Sequence, residues 1–163
     1  NLIPNSIFAI SIWYKKDYNQ NNNAGLFSTY SGSFNYNGIY YAMNGNYDWV
    51  RCDGNSLDSF SSSANNWKHV VINSDGNSVK VYINTEEILN IYATTNHSNS
   101  LVIGDSRYNG RYFTGKIDDI RVYNRTLTSD EINALFDGDW RSKFLNEVSL
   151  LLDRYRVDRM PFQ

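Results

Sequence analysis

Short runs of alternating apolar and polar residues recur between Phe8 and Tyr123, separated by loops rich in Asn and Ser. In the first run every second residue from Phe8 to Tyr14 is large and apolar, which is the period of a β-strand that turns one set of side chains toward a core. Further runs occupy 67–72 and 79–83, and Asp75-Gly76 between them is a strong hairpin signal. The pattern predicts a protein built from many strands.

The stretch from Phe113 to Phe136 predicts a strand that leads into a helix. Thr128 is placed as the helix N-cap, and Glu131 follows three residues later, so the two side chains can bond each other's backbone N–H groups in a capping box. Gly138 suits the residue after this helix.

A second helix is predicted beyond Gly138. Its apolar stripe has intervals of four, four, three and four residues: Trp140, Phe144, Val148, Leu151 and Tyr155. A stripe of this width either packs on its own domain or contacts another chain, and we favour the contact.

Composition agrees with one β domain. The 163 residues include 15% aromatic residues and only 2 Pro, and this length can bury a sizeable core. The net charge of −2 provides no broad basic field, which argues against nucleic-acid binding, and no apolar run has the length of a membrane span. The single cysteine, Cys52, is predicted to be a buried strand residue, with intermolecular pairing as the alternative.

The segment Gly115–Arg125, followed by Leu127, Thr128 and Glu131-Ile132, resembles the closing motif of the laminin-G-like, concanavalin A-like jelly-roll domains common in secreted bacterial proteins. Four other segments match in the family's order: Phe8–Lys16, Trp67–Asn73, Val79–Ile88 and Leu101–Ser106. The resemblance implies an all-β, two-sheet antiparallel jelly-roll sandwich that is usually non-catalytic and often holds a structural calcium ion. It also implies that one or two leading strands are missing before Phe8.

We therefore expect two domains. Residues 1–137 would form the sandwich with its short capped helix, and residues 138–163 would form an amphipathic helical tail.

The region 24–53 is predicted to contain three short strands with more aromatic residues than a two-layer sandwich can bury. Tyr40, Trp49 and Arg51 are our candidates for carbohydrate binding, because flat rings stack on the apolar faces of sugars while guanidinium groups bond hydroxyls. The alternative is that these aromatics only cover a half-exposed sheet, since Tyr and Trp favour strands.

The loop 105–112 holds two Arg and two Tyr in eight residues, and Tyr108 and Arg111 are further carbohydrate-binding candidates. Loops on rigid sandwiches commonly carry binding residues. A solvated loop without such a role is the alternative.

Asp118 and Asp119 are adjacent on a predicted strand, so they point to opposite faces and cannot act together on one glycosidic bond. Asp118 could instead be an oxygen ligand for one structural Ca²⁺, or it could pair with Arg121 or with backbone N–H groups. His69 lacks a recognisable catalytic partner and is predicted to be structural. No nucleophile elbow, phosphate loop or metal triad appears in the sequence, so we do not expect an enzyme.

Two functions are compatible with the resemblance and with these patterns. The first is a non-catalytic carbohydrate-binding or adhesion module of an extracellular or cell-surface protein, with a glycan or polysaccharide as its partner. The second is a structural or assembly domain of a surface filament or virion, in which residues 140–155 contact another protein chain or domain.

Overall fold

The structure is a computed structural model, and it describes residues 6–29, 38–44, 46–52, 56–93, 101–105 and 110–138, without the side chains of residues 56 and 57. The chain divides after Leu127. All the described strands belong to the first unit, and of the second unit residues 128–138 are described. The helical tail predicted over 138–163 lies beyond the described residues except for Gly138, so the predicted domain boundary stays a prediction.

The described strands form two antiparallel five-stranded sheets, which confirms the predicted all-β jelly-roll sandwich. The strands are β1 Ile7–Lys16, β2 Ala24–Ser28, β3 Ile39–Met43, β4 Tyr47–Cys52, β5 Ser56–Ser61, β6 Lys68–Asp75, β7 Ser78–Ile83, β8 Glu86–Tyr92, β9 Val102–Ile103 and β10 Gly115–Tyr123. The first sheet has the order β10-β1-β6-β7-β8, and the second has the order β5-β4-β3-β2-β9.

The core lies between the two sheets and follows the two-residue period of the sequence. Strand β1 contributes Phe8, Ile10, Ile12 and Tyr14 to one apolar cluster. The second sheet contributes Ile39, Tyr41, Met43, Val50 and Cys52 to the same cluster. Cys52 is 1% exposed, which confirms the prediction of a buried strand residue.

Strand β10 departs from regular alternation in its middle. Ser11 lies opposite Arg121 and Trp13 lies opposite Asp118, so β10 has an extra residue at this point. Asp119 has a φ of 46°, in the left-handed region that marks a β-bulge. The sequence placed Asp118 and Asp119 on opposite faces because regular alternation was assumed. The extra residue breaks that alternation, so the assignment of the two faces no longer follows.

Two hairpin turns connect β6, β7 and β8. At the predicted Asp-Gly turn, the Asp75 carboxylate accepts the backbone N–H groups of Asn77 at 2.8 Å and Ser78 at 2.7 Å. These bonds stabilise the ionised form and lower the pKa of Asp75.

The second turn, Asn84-Thr85, has positive φ at both residues, 49° and 79°, as a type I′ hairpin turn requires. Asn84 tolerates this conformation, and its side-chain oxygen accepts the His69 N–H at 2.9 Å. Thr85 is β-branched, so its positive φ is strained.

The second unit begins with the predicted capping box. The Thr128 N–H donates to the Glu131 carboxylate at 2.9 Å, and the Glu131 N–H donates to the Thr128 hydroxyl at 3.3 Å. Helix α1 follows over residues 129–138, so Gly138, which the sequence placed just after the helix, is its last described residue. The capping box thus gives a hydrogen-bond acceptor to two backbone N–H groups at the start of the helix, as the sequence predicted.

Trp13 and His69 occupy the face of the first sheet that points away from the core between the sheets, yet both are buried. Their rings stack with centroids 5.1 Å apart, and the Ser11 hydroxyl lies 2.7 Å from His69 Nε2. His69 is 1% exposed, in agreement with a structural role, and Trp13 is fully buried and unavailable for stacking on a sugar.

One end of the core contains a buried charged network that joins the two sheets. Asp48 points inward from β4 and forms an ion pair with Lys16 of β1, with Nζ 2.6 Å from Oδ1 and both side chains fully buried. Its other oxygen accepts the hydroxyls of Tyr14, of Tyr41 at 3.0 Å and of Ser62 at 2.7 Å. Both carboxylate oxygens are thus satisfied inside the sandwich.

Burial and the nearby Asp48 charge raise the pKa of Tyr14 and the pKa of Tyr41 well above 10. Lys68 of β6 donates to the Ser62 hydroxyl and to the Ser63 carbonyl, both at 2.5 Å. Burial lowers the pKa of Lys68 from 10.5 to about 8, against the opposing effect of Asp48. The network therefore holds two cations around one carboxylate.

We predict that Asp48→Asn destabilises the fold by about 3 kcal/mol or more, because it leaves the buried Lys16 ammonium without its counter-charge. Urea denaturation followed by circular dichroism measures the change. Asp58→Asn is the control, since Asp58 is exposed on the neighbouring strand β5. Equal stability of the two variants would contradict the structural importance of the ion pair.

The lowered pKa of Lys68 predicts how the stability of the fold varies with pH. The unfolded chain keeps this proton up to about pH 10.5, whereas the folded chain releases it near pH 8. The contribution of Lys68 to stability is therefore flat below pH 8 and rises between about pH 8 and 10. Above pH 10 the raised pKa values of Tyr14 and Tyr41 act in the opposite direction, because the unfolded chain then loses protons first.

The Lys68→Met variant should lack this rise in stability with pH. The difference in free energy of unfolding between wild type and this variant should shift in favour of the wild type between about pH 7 and 9.5. Lys116→Met, at an exposed lysine, is the control for the change in net charge. A difference that does not vary with pH would contradict the lowered pKa.

Thr85→Gly should stabilise the β7–β8 hairpin by about 0.5–1 kcal/mol, because glycine adopts positive φ without strain. The melting temperature measures the gain. Thr85→Ala keeps a Cβ at the same φ and should give a smaller gain or none. A loss of stability in the glycine variant would contradict the strain argument.

Candidate functional site

The second sheet carries a cleft of about 650 Å³ on its outer face, away from the core. The described residues that line it are polar or aromatic: Asn23, Asn44, Tyr47, Trp49, Arg51, Ser59 and Arg111. Three of the predicted carbohydrate-binding residues, Trp49, Arg51 and Arg111, are therefore brought together.

Strand β4 supplies the centre of the cleft because its residues alternate between the two faces. Asp48, Val50 and Cys52 are buried, whereas Tyr47 is 52% exposed and the outward Trp49 and Arg51 are half-buried. The sequence reasoning missed Tyr47 as a site residue. Its outward position, two residues before Trp49, was the available signal.

The depression beside Trp49 arises from small side chains in the same row across the sheet. Gly25 of β2 lies opposite Ala42 of β3, Ala42 lies opposite Trp49, and Trp49 lies opposite Ser59 of β5. Trp49 is therefore the one large side chain among these four residues, and it packs against Ala42 and Tyr40. Ser59 could be found only after the strand register was known.

The position of Tyr40 differs from the one predicted for a sugar-stacking residue. It is 3% exposed, so it has no free ring face for a sugar. Its ring contacts Trp49 edge to face, with centroids 5.0 Å apart and an interplanar angle of 85°. Its hydroxyl donates to the Asn23 carbonyl at 2.5 Å. Tyr40 therefore supports the orientation of Trp49 and holds Asn23 at the cleft, which corrects its expected role as a stacking residue.

Arg111 reaches the cleft from a different part of the chain. Its carbonyl accepts the Gly25 N–H at 2.9 Å, and the Phe113 N–H donates to the Gly104 carbonyl at 3.0 Å. These bonds hold residues 111–113 beside β2. Tyr108, the other candidate in this loop, lies outside the described residues.

Asn23 and Asn44 were not predicted as site residues. Asn23 has a φ of 61° in the turn before β2, a conformation that Asn tolerates. The side chain of Asn44 accepts the Tyr47 N–H at 3.0 Å, in the connection between β3 and β4. Both asparagines therefore occupy turns beside the strands that form the cleft.

Asp118, the predicted calcium ligand, is exposed on β10 in the other sheet, and its carboxylate accepts the Asp119 N–H at 2.9 Å. The described residues contain no group of three or more His, Cys, Asp or Glu that could hold a metal ion. Calcium binding at Asp118 stays a prediction.

Comparison with known proteins identifies a family match. The family model described as the Concanavalin A-like lectin/glucanases superfamily matches residues 1–133. No curated protein matches the chain.

Several solved structures share the fold. The CBM40 domain of the Ruminococcus gnavus IT-sialidase has a TM-score of 0.66 and 18% identity, covering 80% of this chain and 83% of that domain. Domain 4 of an extracellular arabinanase from Geobacillus stearothermophilus, solved in complex with arabinotriose, has a TM-score of 0.60 and 19% identity, covering 80% of this chain and 66% of that domain.

The receptor-binding domain of botulinum neurotoxin type G has a TM-score of 0.65 and 16% identity, with 82% of this chain covered. The chain spans 38% of the length of that neurotoxin domain. At these identities the likeness shows the fold alone. Among the helices that the structure describes, none is long and apolar enough to cross a membrane.

Proposed function

We propose a function from the premise that this chain belongs to the concanavalin A-like lectin/glucanase superfamily. The chain acts as a non-catalytic carbohydrate-binding module, and the cleft around Trp49 is its binding site. The observation that carries this proposal is the half-buried indole of Trp49, which is flanked by small residues and surrounded by amide, hydroxyl and guanidinium groups.

The cleft has the composition that sugar recognition needs. An aromatic ring offers a flat apolar surface to the C–H face of a pyranose, and polar side chains around it can bond the ring hydroxyls. Trp49 and Tyr47 supply the rings, whereas Asn23, Asn44 and Ser59 supply amide and hydroxyl groups. The edge contact with Tyr40 limits the rotation of Trp49, so little side-chain entropy is lost on binding.

A binding role is favoured over hydrolysis. Glycoside hydrolysis usually needs two carboxyl groups that flank one bond, and the described lining of this cleft contains none. Two of the structural neighbours, a CBM40 domain and an arabinanase domain solved with arabinotriose, are consistent with a lectin-like role by analogy.

We further propose that the module works in an extracellular or cell-surface protein, with a glycan or polysaccharide as its partner. The arabinanase that contains one structural neighbour is itself extracellular. The alternative assembly role depends on residues 140–155, which lie outside the described residues, so it stays a prediction.

We predict that Trp49→Ala lowers the affinity for a bound glycan by about tenfold or more, because the stacking surface is lost. A glycan array identifies the ligand, and calorimetry with the full chain then measures its affinity. Tyr92→Ala is the matched control, since Tyr92 is 83% exposed on β8 of the other sheet. Tyr40→Phe keeps the supporting ring and loses only the hydroxyl bond to the Asn23 carbonyl, so it should lower the affinity less than Trp49→Ala does.

Thermal unfolding of each variant verifies that the fold is retained. Glycan binding that is unchanged in Trp49→Ala would remove this cleft as the site. Absence of binding to every glycan on a broad array would overturn the proposed function.

A further inference from the structure

We infer that the cleft around Trp49 selects acidic glycans, in which a carboxylate or sulfate group lies next to the sugar face that stacks on the indole. This inference rests on the proposed function, and it names the class of sugar that the site takes. Its basis is the charge of the lining. The described lining residues comprise two arginines, two asparagines, one serine and two aromatic residues, and none of them carries a negative charge.

The charge of the cleft is opposite to that of the chain. The full sequence has a net charge of −2, whereas the described lining carries a charge of +2 from Arg51 and Arg111. Acidic groups outnumber basic ones in the chain as a whole, so a cleft whose described lining has two arginines and no acidic residue differs from the average of the chain. A positive cleft with apolar walls attracts anionic ligands and raises their local concentration.

The two arginines are held by separate elements, so they contact a ligand from two directions. Arg51 projects from β4 two residues after Trp49 and lies opposite Tyr40 on β3. Arg111 is anchored beside β2 through its carbonyl, next to Gly25. Adjacent strands lie about 4.8 Å apart, so the Arg111 backbone is about three strand spacings, roughly 14 Å, from β4.

The residues between these two positions are small. Gly25 and Ala42 occupy the outward positions of β2 and β3 in the row that joins Arg111 to Trp49. Both residues are buried, so a sugar ring stacks on the half-buried indole of Trp49 beside them and does not lie over them. An anionic substituent on that ring then comes within reach of a guanidinium group.

Arginine suits such a substituent better than lysine would. Its planar group donates two parallel N–H bonds to a carboxylate or to two oxygens of a sulfate. Hydrogen bonds to charged groups contribute about 1.5–3 kcal/mol, so one such contact corresponds to a preference of about tenfold or more over an uncharged analogue.

The experiment compares matched glycans that differ only in charge. Sialyllactose and 6′-sulfolactose are each compared with lactose, and oligogalacturonate is compared with its methyl ester, using calorimetry and the full chain. At least one acidic member should bind about tenfold tighter than its neutral partner. The carboxylate and sulfate arms show which anion is preferred.

Arg51→Gln and Arg111→Gln test the two arginines separately. Each should lower the affinity for the acidic glycan by about tenfold, and by a larger factor than it lowers the affinity for the neutral partner. Arg125→Gln, at an exposed residue after β10, makes the same charge change outside the cleft and should have little effect. If Arg51→Gln fails to fold, Arg111→Gln in its loop still tests the inference.

Salt provides an independent measurement. Raising the NaCl concentration from about 50 to about 500 mM should weaken binding of the acidic glycan several-fold and leave the neutral one unaffected, because salt screens exposed charges. Equal binding of acidic and neutral partners would overturn this inference and leave the proposed function intact. Absence of binding to any glycan of either kind would overturn both.

Discussion

The fully buried ion pair between Asp48 and Lys16 is the interaction on which the rest of the sandwich depends. Lys16 belongs to the first sheet and Asp48 to the second, so the pair fixes the two layers relative to each other at one end of the core. A buried pair is not by itself a source of net stability, because both charges lose their hydration. The pair does penalise arrangements that separate the two charges. The hydroxyls of Tyr14, Tyr41 and Ser62 donate hydrogen bonds to the other carboxylate oxygen.

Strand β4 carries both Asp48, which lies in the core, and the central residues of the candidate site. Asp48 points into the network, and its neighbours Tyr47 and Trp49 point outward into the cleft. Because a strand presents its residues to alternate faces, fixing Asp48 inside also fixes the positions of Tyr47 and Trp49 outside. The site is therefore preorganised by the core behind it, and Tyr40 adds a second constraint from β3.

Local signals predicted those elements that depend on neighbouring residues. The sequence predicted the capping box at Thr128, the Asp75-Gly76 hairpin and the set of β1 residues that faces the core, and all three are confirmed. The bulge at Asp119 was not predicted, because an extra residue in one strand is defined only by its partner strand. The buried role of Asp48 was also missed, since a single carboxylate in a polar-rich stretch has the appearance of a surface residue.

For the candidate site, the sequence by itself determined that Trp49 and Arg51 share one strand face and that Arg111 lies in a basic, aromatic loop. Only the tertiary structure decided that these three meet in one cleft, that Tyr40 is buried behind Trp49, and that Asn23, Asn44 and Ser59 join them. The physical reason is that alternation along a strand is a local property, whereas the contacts across β2, β3, β4 and β5 depend on strand order and register. Those are set by burial of the whole core and by the ion pair within it.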